Sequence, residues 1–127
     1  MIALDAGALL RLVGLIPGEA PEDPELCSTD GALCEVIGFL REHFAGNAHR
    51  ASAVIAELQS AVQAFPGVSS YAWAAVELAC VAPADLPVTT LSPIAFAAEA
   101  RMPFVTISRE LAEIAAGQCS EVRYLAP

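Results

Sequence analysis

Apolar positions recur with a helical period through the middle of this chain and shorten into unalternating runs toward its two ends. Leu33, Val36, Ile37, Leu40 and Phe44 stand at i, i+3, i+4, i+7 and i+11, behind the capping residues Ser28, Thr29 and Asp30, which predicts a helix over about 30–44. A second amphipathic stretch follows Asn47, with Ala51, Val54, Ile55, Leu58 and Val62 on one face until Phe65-Pro66-Gly67 stops it. A third helix is expected after Ser69 and Ser70, turning Tyr71, Ala74, Ala75 and Leu78 toward the core.

The ends read differently. Residues 1–4 form an apolar run that stops at Asp5 and gives way to AGALLRLVGL, a strand running into a helix with Leu9, Leu10 and Val13 on one side. Residues 16–26 mix Pro17, Gly18, Pro21 and Pro24 with Glu19, Glu22, Asp23 and Glu25, a surface loop without the ligand spacing of a calcium site. The final third carries Leu86-Pro87-Val88, an alanine-rich segment over 93–100, the run Phe104-Val105-Thr106, a helix over about 108–116 and a last run over 122–125. Short apolar runs alternating with helices suit buried parallel strands covered on both faces. The expectation is an α/β fold with a small parallel sheet and helices in excess, forming one domain over 1–127.

Composition sharpens that picture. Hydrophobic residues make up 56% of the 127, which excludes a disordered chain. Six basic residues against 15 acidic ones give a net charge of -9, and all six are arginines scattered along the sequence. Because nucleic acids are held largely through their phosphates, this balance argues against a nucleic-acid-binding surface. The N-terminal segment carries Asp5 and Arg11 and does not read as a signal peptide, and no uncharged stretch is long enough to cross a membrane. A cytoplasmic protein without membrane attachment is expected. Cys27, Cys34, Cys80 and Cys119 form no CxxC pair and have no neighbouring histidine, so they read as free, mostly buried thiols rather than zinc ligands.

Two acids invite a chemical reading. Ligands of an open parallel sheet bind beyond the carboxyl ends of its strands, and Asp5 stands at such an end. It is either a functional acid or the cap of the helix that starts at Ala6. Glu35 lies at the margin of an apolar helical stripe, as a second site acid or as a solvated one. His43 and His49 flank a helix junction away from any serine or cysteine nucleophile arrangement, and no GxSxG, P-loop or GxGxxG string occurs.

The strings IALDAGALLRLV, ALCEVIGFLRE and AVELACVAPADLPVTTLSPIAFAAEARMPFVTISRELAEIA, in this order, resemble the PIN-domain family, metal-dependent endoribonucleases that include the VapC-type toxins of toxin-antitoxin pairs. The resemblance spans almost the whole chain and implies a three-layer fold with a small parallel sheet between helices. It maps the first family acid to Asp5 and the second to Glu35. The third falls on Thr90, the fourth on Ser108, and the small polar residue two past the first acid on Gly7, so two of four carboxylates are replaced. The implied ion is magnesium or manganese, weakly held by Asp5 and Glu35, with Thr90 and Ser108 supplying hydroxyls and Glu110 near enough in sequence to substitute for a lost acid.

Two functions follow. One is a metal-dependent ribonuclease with Asp5, Glu35, Thr90 and Ser108 as its site and RNA as substrate. The other is a catalytically inactive PIN-like binding module acting as a homodimer or on an antitoxin-like peptide, docked on an apolar surface of the helices over 30–65. An unrelated helical α/β domain, with Asp5 only a cap, is the third alternative.

Overall fold

The computed structural model describes all residues, 1–127, as a four-stranded, wholly parallel sheet between two helical layers. The strands β1 (Ile2–Leu4), β2 (Leu26–Cys27), β3 (Phe104–Thr106) and β4 (Val122–Tyr124) lie in the order β2-β1-β3-β4. Helices α1 (Ala6–Leu12), α2 (Asp30–His43), α3 (Ala48–Ala61), α4 (Ala72–Val81), α5 (Val88–Ala100) and α6 (Arg109–Ala116) complete the fold. The α/β class with helices in excess agrees with the sequence pattern.

Strand alternation assigns the two faces. Ile2 and Leu4 of β1 and Val105 of β3 point into one core with Leu9, Val36, Leu40 and Leu58 from α1, α2 and α3. Ala3 and Phe104 point the other way, into a core with Leu78, Ile94 and Leu111 from α4, α5 and α6. Both cores hold fully buried aliphatic side chains, and area removed from water is the main stabilising contribution to each.

Local chemistry explains most element boundaries. Thr29 caps α2 by accepting from the Ala32 N–H at 3.2 Å, and Asn47 caps α3 by accepting from the Arg50 N–H at 3.1 Å. Helix α5 begins at Val88, five residues before the alanine-rich stretch, and contains Pro93. A proline at that place cannot donate to the carbonyl of Thr89 four residues back. The Ser92 hydroxyl donates to that carbonyl instead, at 2.8 Å.

Strand β2 is absent from the sequence pattern because its two residues end the proline-rich acidic loop. Its pairing with β1, Ile2 beside Leu26 and Ala3 beside Cys27, defines it. The acids of that loop act as tethers as well as solvated groups. Asp23 pairs with the N-terminal ammonium at 3.1 Å, and Glu19 accepts from the Ala126 N–H at 3.2 Å. The thiols also correct the sequence expectation, since only Cys27 is buried. Cys34 and Cys80 are exposed, Cys119 is half-buried, and all four are free. Position within an amphipathic helix decides this: residues 34 and 80 fall on the outer faces of α2 and α4.

Helices α2 and α5 approach closely where α2 starts. A Cβ on Gly31 would lie 2.5 Å from the Ser92 Oγ and 3.2 Å from the Thr89 Cα. Because one of these neighbours is backbone, the contact cannot be relieved by a rotamer change alone. Gly31→Ala is expected to destabilise the protein by about 1–3 kcal/mol, measured by urea unfolding. A change below about 0.5 kcal/mol would show that the helices separate freely.

Candidate functional site

Strand order fixes where a site can form. From β1 the chain passes to β2 on one side and, later, to β3 on the other, so the strand order reverses between β1 and β3, and ligands of open α/β sheets bind beyond the carboxyl ends of such strands. Asp5 follows β1, Thr106 ends β3, and Ser108 begins the turn into α6. The register Leu4 beside Val105, extended by the Asp5 N–H donating to the Val105 carbonyl at 3.2 Å, puts the ends of these strands together.

The Asp5 carboxylate is only 4% exposed. Its Oδ1 accepts from the Ala8 N–H at 2.8 Å, which makes it the N-cap of α1. Its Oδ2 accepts a short hydrogen bond from the Thr106 hydroxyl. Thr106 in turn accepts from the Ser108 N–H at 3.0 Å. Burial pushes the Asp5 pKa from 3.8 up to about 6 against the opposing pull of the Thr106 and Ala8 hydrogen bonds. The negative charge of Glu35 adds to the rise, so the two acids lie within electrostatic reach of one another.

Glu35 is half-buried on α2 and is bound by α5. The Thr90 hydroxyl donates to its Oε2 at 2.5 Å and the Thr89 hydroxyl does so at 3.4 Å. Nearby, and buried, the Thr29 and Ser92 hydroxyls lie 2.7 Å apart, and Ser28 donates separately to the Leu4 carbonyl at 2.6 Å. The carboxyl edge of the sheet is therefore lined with hydroxyls bonded within the protein.

The four residues singled out in the sequence form two linked pairs. Thr90 meets Glu35 directly, whereas Ser108 reaches Asp5 only through Thr106. The Ser108 hydroxyl itself is used as the N-cap of α6, accepting from the Leu111 N–H at 3.2 Å, which leaves one lone pair for any further partner. Glu110 is exposed in the first turn of α6. Gly7 has Ile107 against it: a Cβ there would lie 2.6 Å from that side chain and 3.6 Å from the Asp5 Oδ1. Thr106 does not stand out in the sequence, because a threonine in a short strand reads as a strand former. Its place at the carboxyl end of β3 was the available signal.

Magnesium or manganese would require oxygen donors free to face it. Asp5 is buried with one protein donor on each oxygen, Glu35 accepts from threonine hydroxyls on Oε2, and no three acids, imidazoles or thiols gather in the fold. Two carboxylates, one of them buried, are fewer oxygen donors than the roughly six such an ion takes, so water or a ligand would have to supply the rest. None of the four cavities has Asp5 or Glu35 in its wall. The largest, about 550 Å3, lies instead between α2 and α3. No protein-family model matches the chain, and no curated protein matches it in sequence.

Proposed function

We propose that this chain is a PIN-like domain that has lost phosphodiester cleavage and acts as a binding module. The observation that carries this reading is the closure of Asp5: a carboxylate 4% exposed, bonded at both oxygens and raised to a pKa of about 6. Clustered carboxylates attract a divalent ion because it relieves their mutual repulsion. With hydroxyls at positions 90 and 108, that repulsion is reduced to one pair, and threonine donors already stabilise each member. A net charge of -9 further opposes a phosphate backbone. The alternative, a metal-dependent endoribonuclease, draws support from the electrostatic reach between Asp5 and Glu35.

The two readings separate in one pair of assays. Magnesium and manganese titrated calorimetrically into the protein are expected to give no saturable heat. Structured and unstructured RNA incubated with protein and manganese are expected to remain intact. Saturable heat together with RNA cleavage that Asp5→Asn abolishes would establish the endoribonuclease instead. As a binding module, the domain would act through a protein partner, and no helix in it is long and apolar enough to cross a membrane.

A further inference from the structure

We infer that the cavity walled by residues 19–22 takes a small primary amine, one ammonium on a compact branched aliphatic body. It holds about 300 Å3, at the small end of ligand-binding pockets. Neither Asp5 nor Glu35 lines it, so the inference goes beyond the binding-module reading and stands whether or not the domain cleaves RNA.

The cavity has an apolar side and a charged side. Ile2 of β1, Val105 of β3 and Leu125 after β4 belong to the core that α1, α2 and α3 share with the sheet, and together they form the apolar side. Glu19 and Glu22 of the loop and Arg123 of β4 form the charged one. The loop is held in place before any ligand arrives. The Glu19 N–H donates to the Ala126 carbonyl at 3.2 Å, the Glu19 carboxylate accepts from the Ala126 N–H at 3.2 Å, and the Arg11 guanidinium donates to the Glu19 carbonyl at 3.3 Å. A wall fixed in this way spares a ligand the cost of ordering it.

The pairing of charges selects the head group. Arg123 is engaged by Glu121 at 2.9 Å and the N-terminal ammonium by Asp23 at 3.1 Å, the only ion pairs in the fold. The unpaired charges in the cavity wall are therefore both carboxylates: Glu22 joins neither ion pair, and the Glu19 carboxylate accepts only from a backbone N–H. A neutral occupant would take water from these acids and return nothing, which costs free energy. An anionic occupant meets two carboxylates on a chain of net charge -9. An ammonium brings charged donors to the acids, while its aliphatic body covers Ile2, Val105 and Leu125. Exposed ion pairs contribute little by themselves, so the apolar side supplies the retention and the acids the selectivity.

The test is a titration of nitrogen-15-labelled protein with isoamylamine, followed by amide NMR in low salt near neutral pH. Isoamyl alcohol and isocaproate serve as the neutral and anionic probes of similar shape. Saturable shifts are expected at Ile2, residues 19–22, Val105 and residues 123–125, with a Kd on the order of 1 mM for the amine. The alcohol is expected to bind at least about tenfold more weakly, and isocaproate not at all up to about 20 mM. Glu22→Gln is expected to weaken amine binding by about fivefold with its helical circular dichroism unchanged, whereas Glu57→Gln, exposed on α3 outside the cavity, leaves it unaltered. Absence of saturable shifts up to about 20 mM amine, shifts centred on other residues, or equal affinity for the amine and the alcohol would each overturn the inference. So would isocaproate binding as tightly as the amine, which would assign the cavity to Arg123. A Glu22→Gln variant that binds the amine unchanged, or loses no more affinity than Glu57→Gln, would show that the amine follows net charge or the apolar side alone, and would overturn it equally.

Discussion

Asp5→Asn is expected to stabilise the protein by about 1–3 kcal/mol at pH 7.5 and to leave its stability unchanged near pH 4. The carboxyl group has a pKa of 3.8 when freely solvated and about 6 in the fold. Between those values the folded state binds more protons than the unfolded one, so stability falls as pH rises through that window and levels off above it. The full displacement corresponds to about 3 kcal/mol of strain on the ionised form. Asparagine has no charge to desolvate. Its carbonyl can still accept from the Ala8 N–H, and its amide can donate to the Thr106 oxygen, which has a second lone pair for the Ser108 N–H. Losing a charge-assisted bond removes part of the gain, hence the lower end of the range. Urea unfolding at both pH values checks the result. A destabilised variant at pH 7.5 would show that the ionised carboxylate is favoured in the fold.

Arg11→Met should act in the opposite direction, with a loss of about 2–4 kcal/mol at neutral pH. Arg11 is 7% exposed at the end of α1 and has no carboxylate beside it. Its Nη1 instead donates to three carbonyls, those of Ala126 at 2.6 Å, Glu19 at 3.3 Å and Leu125 at 3.4 Å. One guanidinium therefore ties the loop before β2 to the segment after β4. The approach is close: Gly18, at a φ of 129°, would place a Cβ 2.7 Å from the Arg11 Cζ. Methionine keeps most of the apolar stem and removes the donor, leaving the Glu19 and Leu125 carbonyls to water or to none, while the Ala126 carbonyl keeps the Glu19 N–H at 3.2 Å. The Nε is buried without a partner, so removing the guanidinium also relieves one unsatisfied donor. Two acceptors left without a protein donor, and the lost charged tether to a third, outweigh one orphaned donor and decide the sign. Amide exchange should accelerate first in residues 16–25 and 125–127, and a loss below about 0.5 kcal/mol would refute the clamp.

These two residues mark what the sequence does and does not disclose. Helices α2 and α3 were legible because fourteen residues of apolar period between good caps leave no competing structure. The three-residue strands β1 and β3 were legible as apolar runs beside helices, and their parallel pairing followed from that alternation. Strand β2 was hidden because two residues carry no period. The start of α5 was hidden because Pro93 argues for a helix beginning there, and only the Ser92 hydroxyl on the Thr89 carbonyl explains why the helix runs through it.

The candidate site divides in the same way. Asp5 and Glu35 stand out in the sequence as acids in unusual places, and Thr90 enters only through the resemblance. Thr106 depends on which strand lies beside β1, a fact of tertiary pairing, and the use of Ser108 as a cap depends on the direction in which α6 leaves the sheet. The cavity between α2 and α3 follows from the angle between these helices, which no periodicity encodes. The acid pair is thus largely a sequence result, whereas its closure is a result of packing.

The most direct measurement of that closure is the titration of the Asp5 side-chain carboxyl by carbon-13 NMR, in the absence and presence of about 10 mM magnesium. A closed carboxylate titrates with a midpoint near 6 in both conditions. A midpoint that magnesium lowers by about one pH unit or more would mean that the ion reaches Asp5, and would contradict the account.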